Sequence, residues 1–196
     1  MRISSALRFL PLLLVLALSA CASKPQRIND VCAVFAQNDG WISSWRKDAS
    51  AASRRHGIPL HVVMATIRME SGFDGRARPA RKMYLGFIPG PRASSAYGYS
   101  QALDGTWLQY QRETGRHAAR RSNFSDAADF VGWYHRKSVN TLGITPHDTY
   151  SLYLAYYSGH AGYARGSWRS NAGIQGYARK TASMANTYAG QMQRCG

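Results

Sequence analysis

Apolar residues between Pro59 and Gly72, in the stretch PLHVVMATIRMESG, recur at helical spacing, with Leu60, Val63, Met64, Ile67 and Ser71 on one face. Proline suits a first helical turn and glycine the position just past the last, so the pattern predicts a helix bounded by these two residues. Ile42, Trp45, Ala49 and Ala52 or Ser53 share a face upstream and predict a helix from Trp41 to His56, closed by Gly57. Asp104 is the expected N-cap of a helix ending near Gly115. Ser125 or Asp126 opens another, with Ala128, Phe130 or Val131, Tyr134 and Val139 inward, ending at Gly143. Thr145, Pro146 and Asp148 open a helix carrying Tyr150, Leu152, Tyr153, Leu154 and Tyr156 that Gly159 should stop. After an irregular, glycine-rich stretch from His160 to Gly176, a last helix is expected from Tyr177 to Gln193. Few stretches alternate as strands do, and nothing repeats. The fold class expected is mainly α.

One long segment, Phe73 to Ala96, has neither helical nor strand period. It carries Pro79, Pro89 and Pro91, three glycines, and the basic residues Arg76, Arg78, Arg81, Lys82 and Arg92. Aperiodic loops of this length are usually lids or binding loops. Its apolar run Tyr84 to Pro89 is expected to fold back onto the core or line a groove.

Residues 1–20 read as a secretory signal: Arg2 and Arg8, an apolar run from Phe9 to Leu18, then the small Ser19 and Ala20. Leu18-Ser19-Ala20-Cys21 resembles the lipobox of bacterial lipoproteins, which implies cleavage before Cys21 and acyl chains on it; Ala22 next to it suits outer-membrane sorting. The expected organisation is a signal over 1–20, a lipidated N-terminus and short tether over 21–30, and one domain over 31–196. The expected location is the periplasmic side of the envelope. Of three cysteines, Cys32 and Cys195 remain; in an oxidising compartment they are expected to pair, two free thiols being the alternative.

Charge narrows the partner. The chain has 25 basic residues, 20 of them arginine, against 10 acidic ones, and loss of residues 1–20 would leave +13. Such a surface seeks an anionic polymer or a membrane. Nucleic acid would be the first guess for a cytoplasmic chain, but an exported one meets cell-wall glycopeptide, so the wall is the expected partner.

Only two glutamates occur, Glu70 and Glu113. Glu70 lies at the margin of the apolar face and in the last helical turn, where burial and the negative end of the helix dipole both disfavour its ionised form. A carboxyl kept protonated near neutral pH is what a general acid needs. The plainer alternative is a solvated side chain whose stem covers the core.

Three motifs then occur in order: Glu70-Ser71-Gly72-Phe73, Tyr97-Gly98-Tyr99-Ser100-Gln101 and Ala155-Tyr156-Tyr157-Ser158-Gly159. Together they resemble the soluble-lytic-transglycosylase domain, lysozyme-like and related to goose-type lysozyme, over roughly Trp41 to Gly190. The lipoprotein branch of that family is the best match. Its Glu-Ser motif falls on Glu70 and Ser71, its glycine-x-x-glutamine on Gly98 to Gln101, and its Ala-Tyr-Asn on Ala155 to Tyr157. Two departures stand out: Tyr99-Ser100 replaces a hydrophobic pair, and Tyr157 an asparagine.

The resemblance implies cleavage of the β-1,4 bond between N-acetylmuramic acid and N-acetylglucosamine without water, closing a 1,6-anhydro ring. Glu70 would be the single acid and base; a second carboxylate would have to come from Asp74 or Asp104, neither within a motif. Ser71 would hydrogen-bond Glu70 or the N-acetyl group. Tyr97, Tyr99, Ser100, Gln101, Tyr156 and Tyr157 would bind substrate. A lysozyme-type hydrolase on the same fold and a non-catalytic wall-binding lipoprotein are the competing readings. The six histidines have no paired ligand spacing, so neither metal nor cofactor is expected, and no serine-hydrolase elbow occurs.

Overall fold

A computed structural model describes residues 24–39 and 44–195; the expected signal segment, Cys21, Ala22, Trp41 and Ile42 lie outside them. Seven helices and one hairpin make up the described chain: α1 (Val31–Asn38), α2 (Trp45–His56), α3 (Leu60–Ser71), β1 (Arg81–Tyr84), β2 (Ile88–Arg92), α4 (Asp104–Thr114), α5 (Phe124–Leu142), α6 (Thr149–Ala164) and α7 (Ala172–Met192). Helix α3 packs against α2, α5 and α7. Six consecutive residues, Val62 to Ile67, are buried, so the helix is enclosed on all sides and not on one stripe. The fold is mainly α, as the periodicity predicts.

Helix ends explain where the pattern misplaced boundaries. Ser44 caps α2 by accepting from Lys47 N–H, so the helix starts at Trp45 and not Trp41. Asn123, not Ser125 or Asp126, caps α5; starting the helix there puts Phe124 into the core, stacked on Trp45 at 4.0 Å. Asp104 is the first residue of α4 and not its cap. Its N–H is capped by Ser95 Oγ from the preceding loop, while its carboxylate pairs with Arg121 at 2.7 Å. Asp148 caps α6 as expected. Gly159 does not end that helix: at φ 72°, ψ 156° it makes a kink, after which the helix resumes to Ala164. Helix α7 begins five residues before Tyr177 because Asn171 caps it and Ile174 packs on the small cluster of Tyr153, Leu154 and Ala178. Gly173 and Gly176 mask that first turn in the sequence.

The segment read as aperiodic contains an antiparallel ribbon, with Tyr84 opposite Ile88 and Arg81 opposite Arg92. Pro89 and Pro91 hide the second strand, and since neither face of the first is buried there is no alternation to read. Its tip does not fold onto the core: Leu85 is 82% and Phe87 72% exposed.

The two ends of the domain meet. Cys32 and Cys195 form a disulfide across 163 residues. Gln191 accepts from Val31 N–H and donates to Asn29 O, and Tyr188 OH donates to Ile28 O. The stretch expected as a tether therefore lies against the domain, with Pro25 buried and Ile28 packed on the core. Across the molecule, buried Asp129 gathers Tyr110 OH, Arg55 and His56, joining α2, α4 and α5. Burial alone would raise this carboxyl, but the His56 and Tyr110 bonds and the Arg116 charge outweigh it and hold it well below the usual range.

Candidate active site

Glu70 sits in the last turn of α3, which ends because Gly72 takes the left-handed conformation at φ 57°. One carboxyl oxygen, Oε1, is shut off from solvent and has no partner, while the Tyr153 hydroxyl of α6 lies beside the carboxyl and favours its charged form. Burial raises its pKa to about 7, against a smaller lowering by the Tyr153 hydroxyl. In return, burial and the neighbouring carboxyl push Tyr153 far above the ordinary phenol range. The expectation of a partly enclosed, proton-holding carboxyl at this helix end matches the geometry.

The carboxyl opens onto a cleft of about 400 Å³ lined by Ser94, Ala96, Gln101, Leu103, Tyr156 and Tyr157. A hollow of about 220 Å³, sharing Gln101, Leu103, Tyr156 and Tyr157, extends it along α6 towards Phe130 and Tyr134. On the other side, Met69, Tyr153, Tyr157 and Tyr177 surround a further 260 Å³ beside Glu70. Tyr157 borders all three spaces and is 56% exposed. Glu70 thus lies in a groove open on both sides, and no other carboxylate lines these three spaces.

The turn from Gly98 to Gln101 forms the wall opposite α6. A side chain at Gly98 would meet the Arg121 carbonyl at 2.1 Å, and its φ is +74°, so glycine is required. Gly98 N–H donates to Ala77 O and Tyr99 N–H to Arg121 O. Gln101, itself at φ 48°, spends its amide nitrogen on Ala77 O and Gly98 O, at 3.0 and 2.8 Å, leaving its carbonyl oxygen as the group it can offer a ligand. Two hydroxyls hold this turn from outside: Ser71 Oγ donates to Tyr99 O at 2.8 Å, and Tyr156 OH to Ser100 O at 2.6 Å.

A family model described as the transglycosylase SLT domain matches residues 9–195. The chain belongs to that family. No curated protein matches it. Membership in the transglycosylase SLT family implies lytic transglycosylase activity on peptidoglycan and the lysozyme-like helical fold seen here.

Within this transglycosylase SLT domain, the three sequence motifs converge on one groove, but not every residue in them faces it. Gln101, Tyr156 and Tyr157 line it. Tyr99 does not: it is 5% exposed, set edge-on to both Trp45 and Phe124 in the core, because the turn directs its ring inward. Ser100 is fully buried, and its Oγ has no partner. Ser71 bonds Tyr99 O and Ile67 O and not Glu70, since a serine one position on in a helix points away from its neighbour. Tyr97 borders none of the three spaces; its ring takes the Arg78 guanidinium at 4.1 Å and that of Arg121 at 5.5 Å. Asp74 accepts from Arg76 N–H and Asp104 pairs with Arg121, so both nearby acids are engaged outside the groove.

Tyr153 is the residue the sequence reading missed. It stood there as one apolar position among several, although Tyr153, Tyr156 and Tyr157 at i, i+3 and i+4 mark a single helix face. Tyr177, from α7, was equally invisible, since only tertiary packing brings it beside Glu70. Among the described residues no three His, Cys, Asp or Glu side chains converge as a metal site would require.

Proposed function

We propose that this domain cleaves the MurNAc-β-1,4-GlcNAc bond of peptidoglycan without water, with Glu70 as its single acid and base. One observation carries the reading: a proton-holding carboxyl, its pKa near 7, stands alone in a groove open on both sides. Protonated Glu70 donates to the glycosidic oxygen, the C1–O bond breaks, and the GlcNAc side leaves as its 4-hydroxyl. The carboxylate so formed takes the proton of the C6 hydroxyl as O6 bonds to C1, closing the 1,6-anhydro ring. Glu70 is reprotonated and no water is consumed. A pKa close to the working pH suits a group that must give and regain the same proton. The Tyr153 hydroxyl favours the carboxylate in the second half. Tyr156 and Tyr157 offer ring faces to the apolar faces of pyranoses, and Gln101 an acceptor for an acetamido N–H.

Attachment to the outer membrane through lipid on Cys21 belongs to the same proposal and rests on Leu18-Ser19-Ala20-Cys21. The test is mass spectrometry of muropeptides released from purified sacculi, beside Glu70→Gln. Anhydro-muramoyl ends, absent with the variant, are expected. Reducing ends carrying an added water would make the protein a hydrolase. Intact sacculi that retain the protein would make it a binding lipoprotein.

A further inference from the structure

Nine large apolar side chains are exposed among the described residues, and five of them, Met83, Tyr84, Leu85, Phe87 and Ile88, lie in the β1–β2 hairpin. This concentration is unlike the scattered exposure normal for a surface. The hairpin holds its shape without being packed down. Tyr84 lies over Gly90, where a Cβ would come within 2.4 Å of its ring, and Arg81 and Arg92 donate to the carbonyls of Gly90 and Pro79 at the base. The result is a preformed, uncharged tip of six residues, Tyr84 to Pro89, standing in solvent.

The charge around it is of one sign. From Gly75 to Leu103 there are five basic residues and no acidic one. Arg81, Lys82 and Arg92 flank the tip directly, and none of these three pairs with a carboxylate among the described residues. An apolar tip above a collar of cations fits the boundary of an anionic bilayer, with acyl chains around the tip and phosphates at the collar. A glycan strand fits less well: Met83, Leu85 and Ile88 offer neither a flat ring nor a hydrogen bond to a sugar. Position agrees with a surface-docking role. The described chain begins with Lys24 against Gly72, at the end of α3 from which the hairpin loop departs, and β2 ends two residues before Ser94 of the Glu70 cleft.

We propose that the 81–92 hairpin inserts its tip into an anionic lipid surface and so fixes how the cleft is presented beside the membrane. The inference is independent of the Glu70 chemistry. It is tested on the full chain carrying Cys21→Ser, with Leu85→Cys labelled by a polarity-sensitive fluorophore and Ser183→Cys, exposed on α7, as control. Because the probe reads only its own surroundings, attachment by the N-terminus does not mimic insertion.

Phosphatidylglycerol vesicles should blue-shift the label at 85 and expose it to quenchers on the acyl chains. Phosphatidylcholine vesicles should do so more weakly, and the label at 183 should not respond. Adding Phe87→Ser and Ile88→Ser should weaken the response roughly tenfold or more, in line with the apolar area lost. No shift on phosphatidylglycerol, or an equal shift on both lipids, overturns the proposal. A shift only with glycan fragments overturns it too, and assigns the tip to substrate.

Discussion

The hydroxyl of Tyr153 on α6 lies beside the carboxyl of Glu70 at the end of α3, and it opposes the burial that raises this acid. Tyr153→Phe removes the opposition while keeping the ring. The Glu70 pKa should then rise above about 7. In the proposed mechanism the acid form starts the reaction, so the alkaline limb of kcat/KM against pH should move to higher pH, with kcat reduced several-fold as the carboxylate loses the neighbouring hydroxyl. A pH profile of both proteins on the same glycan reads this directly. An unmoved limb with reduced kcat would leave Tyr153 a merely structural residue.

The same burial makes Glu70 a cost to the fold. Below its ordinary value of 4.5 the group is protonated in both folded and unfolded chains and has no effect. Between 4.5 and about 7 the folded chain binds more protons, so stability falls as pH rises, and above about 7 the full cost is present. Glu70→Gln removes it. The variant should be inactive yet more stable at pH 8, by up to about 3 kcal/mol, and should show little gain at pH 4. Urea unfolding at the two pH values measures the difference.

Ser71 and Tyr156 hold neighbouring carbonyls, Tyr99 O and Ser100 O, of the turn that positions Gln101. Ser71→Ala and Tyr156→Phe should each cost about 1 kcal/mol of stability and raise KM for glycan by displacing Gln101. Because they restrain one turn, their effects should not add. A double-mutant cycle should give a coupling of about 0.5 kcal/mol or more. Strict additivity would mean that the turn is held by its own backbone bonds to Ala77 and Arg121.

Legibility followed what burial does to pattern. Residues 60–71 could be read because Pro59 and Gly72 bound a mostly apolar run, and Glu70 interrupts that run at its end. Gly98 and Gln101 were found through a motif, and the structure supplies the reason: a glycine that no side chain can replace, beside a glutamine held at positive φ. Tyr99 shows the limit. Nothing local separates a tyrosine that lines a groove from one set edge-on against Trp45 and Phe124, since that choice depends on α2 and α5, far away in sequence. Tyr153 was unread for the converse reason: it sits among apolar neighbours that do belong to the core. The hairpin was missed because neither face of its first strand is buried and its second strand contains two prolines, leaving no alternation to detect.

Cys32 and Cys195 close nearly the whole domain into one loop, and residues beside them already fix both ends: Val31 and Asn29 bond Gln191, and Tyr188 bonds Ile28. The bridge is therefore expected to act mainly on the unfolded chain and little on native geometry. In the chain-entropy picture, opening a loop of this length costs about 5 kcal/mol. The Cys32→Ala/Cys195→Ala variant should keep its activity wherever it remains folded, because α3, α6 and the 98–101 turn form the groove without help from the bridge. Its denaturation midpoint should fall sharply. The slope m should rise as well, since an unbridged chain exposes more surface on unfolding. A lower midpoint with unchanged m and diminished activity would instead mean that the bridge shapes the native domain, and that strain spreads from α1 and α7 to the cleft.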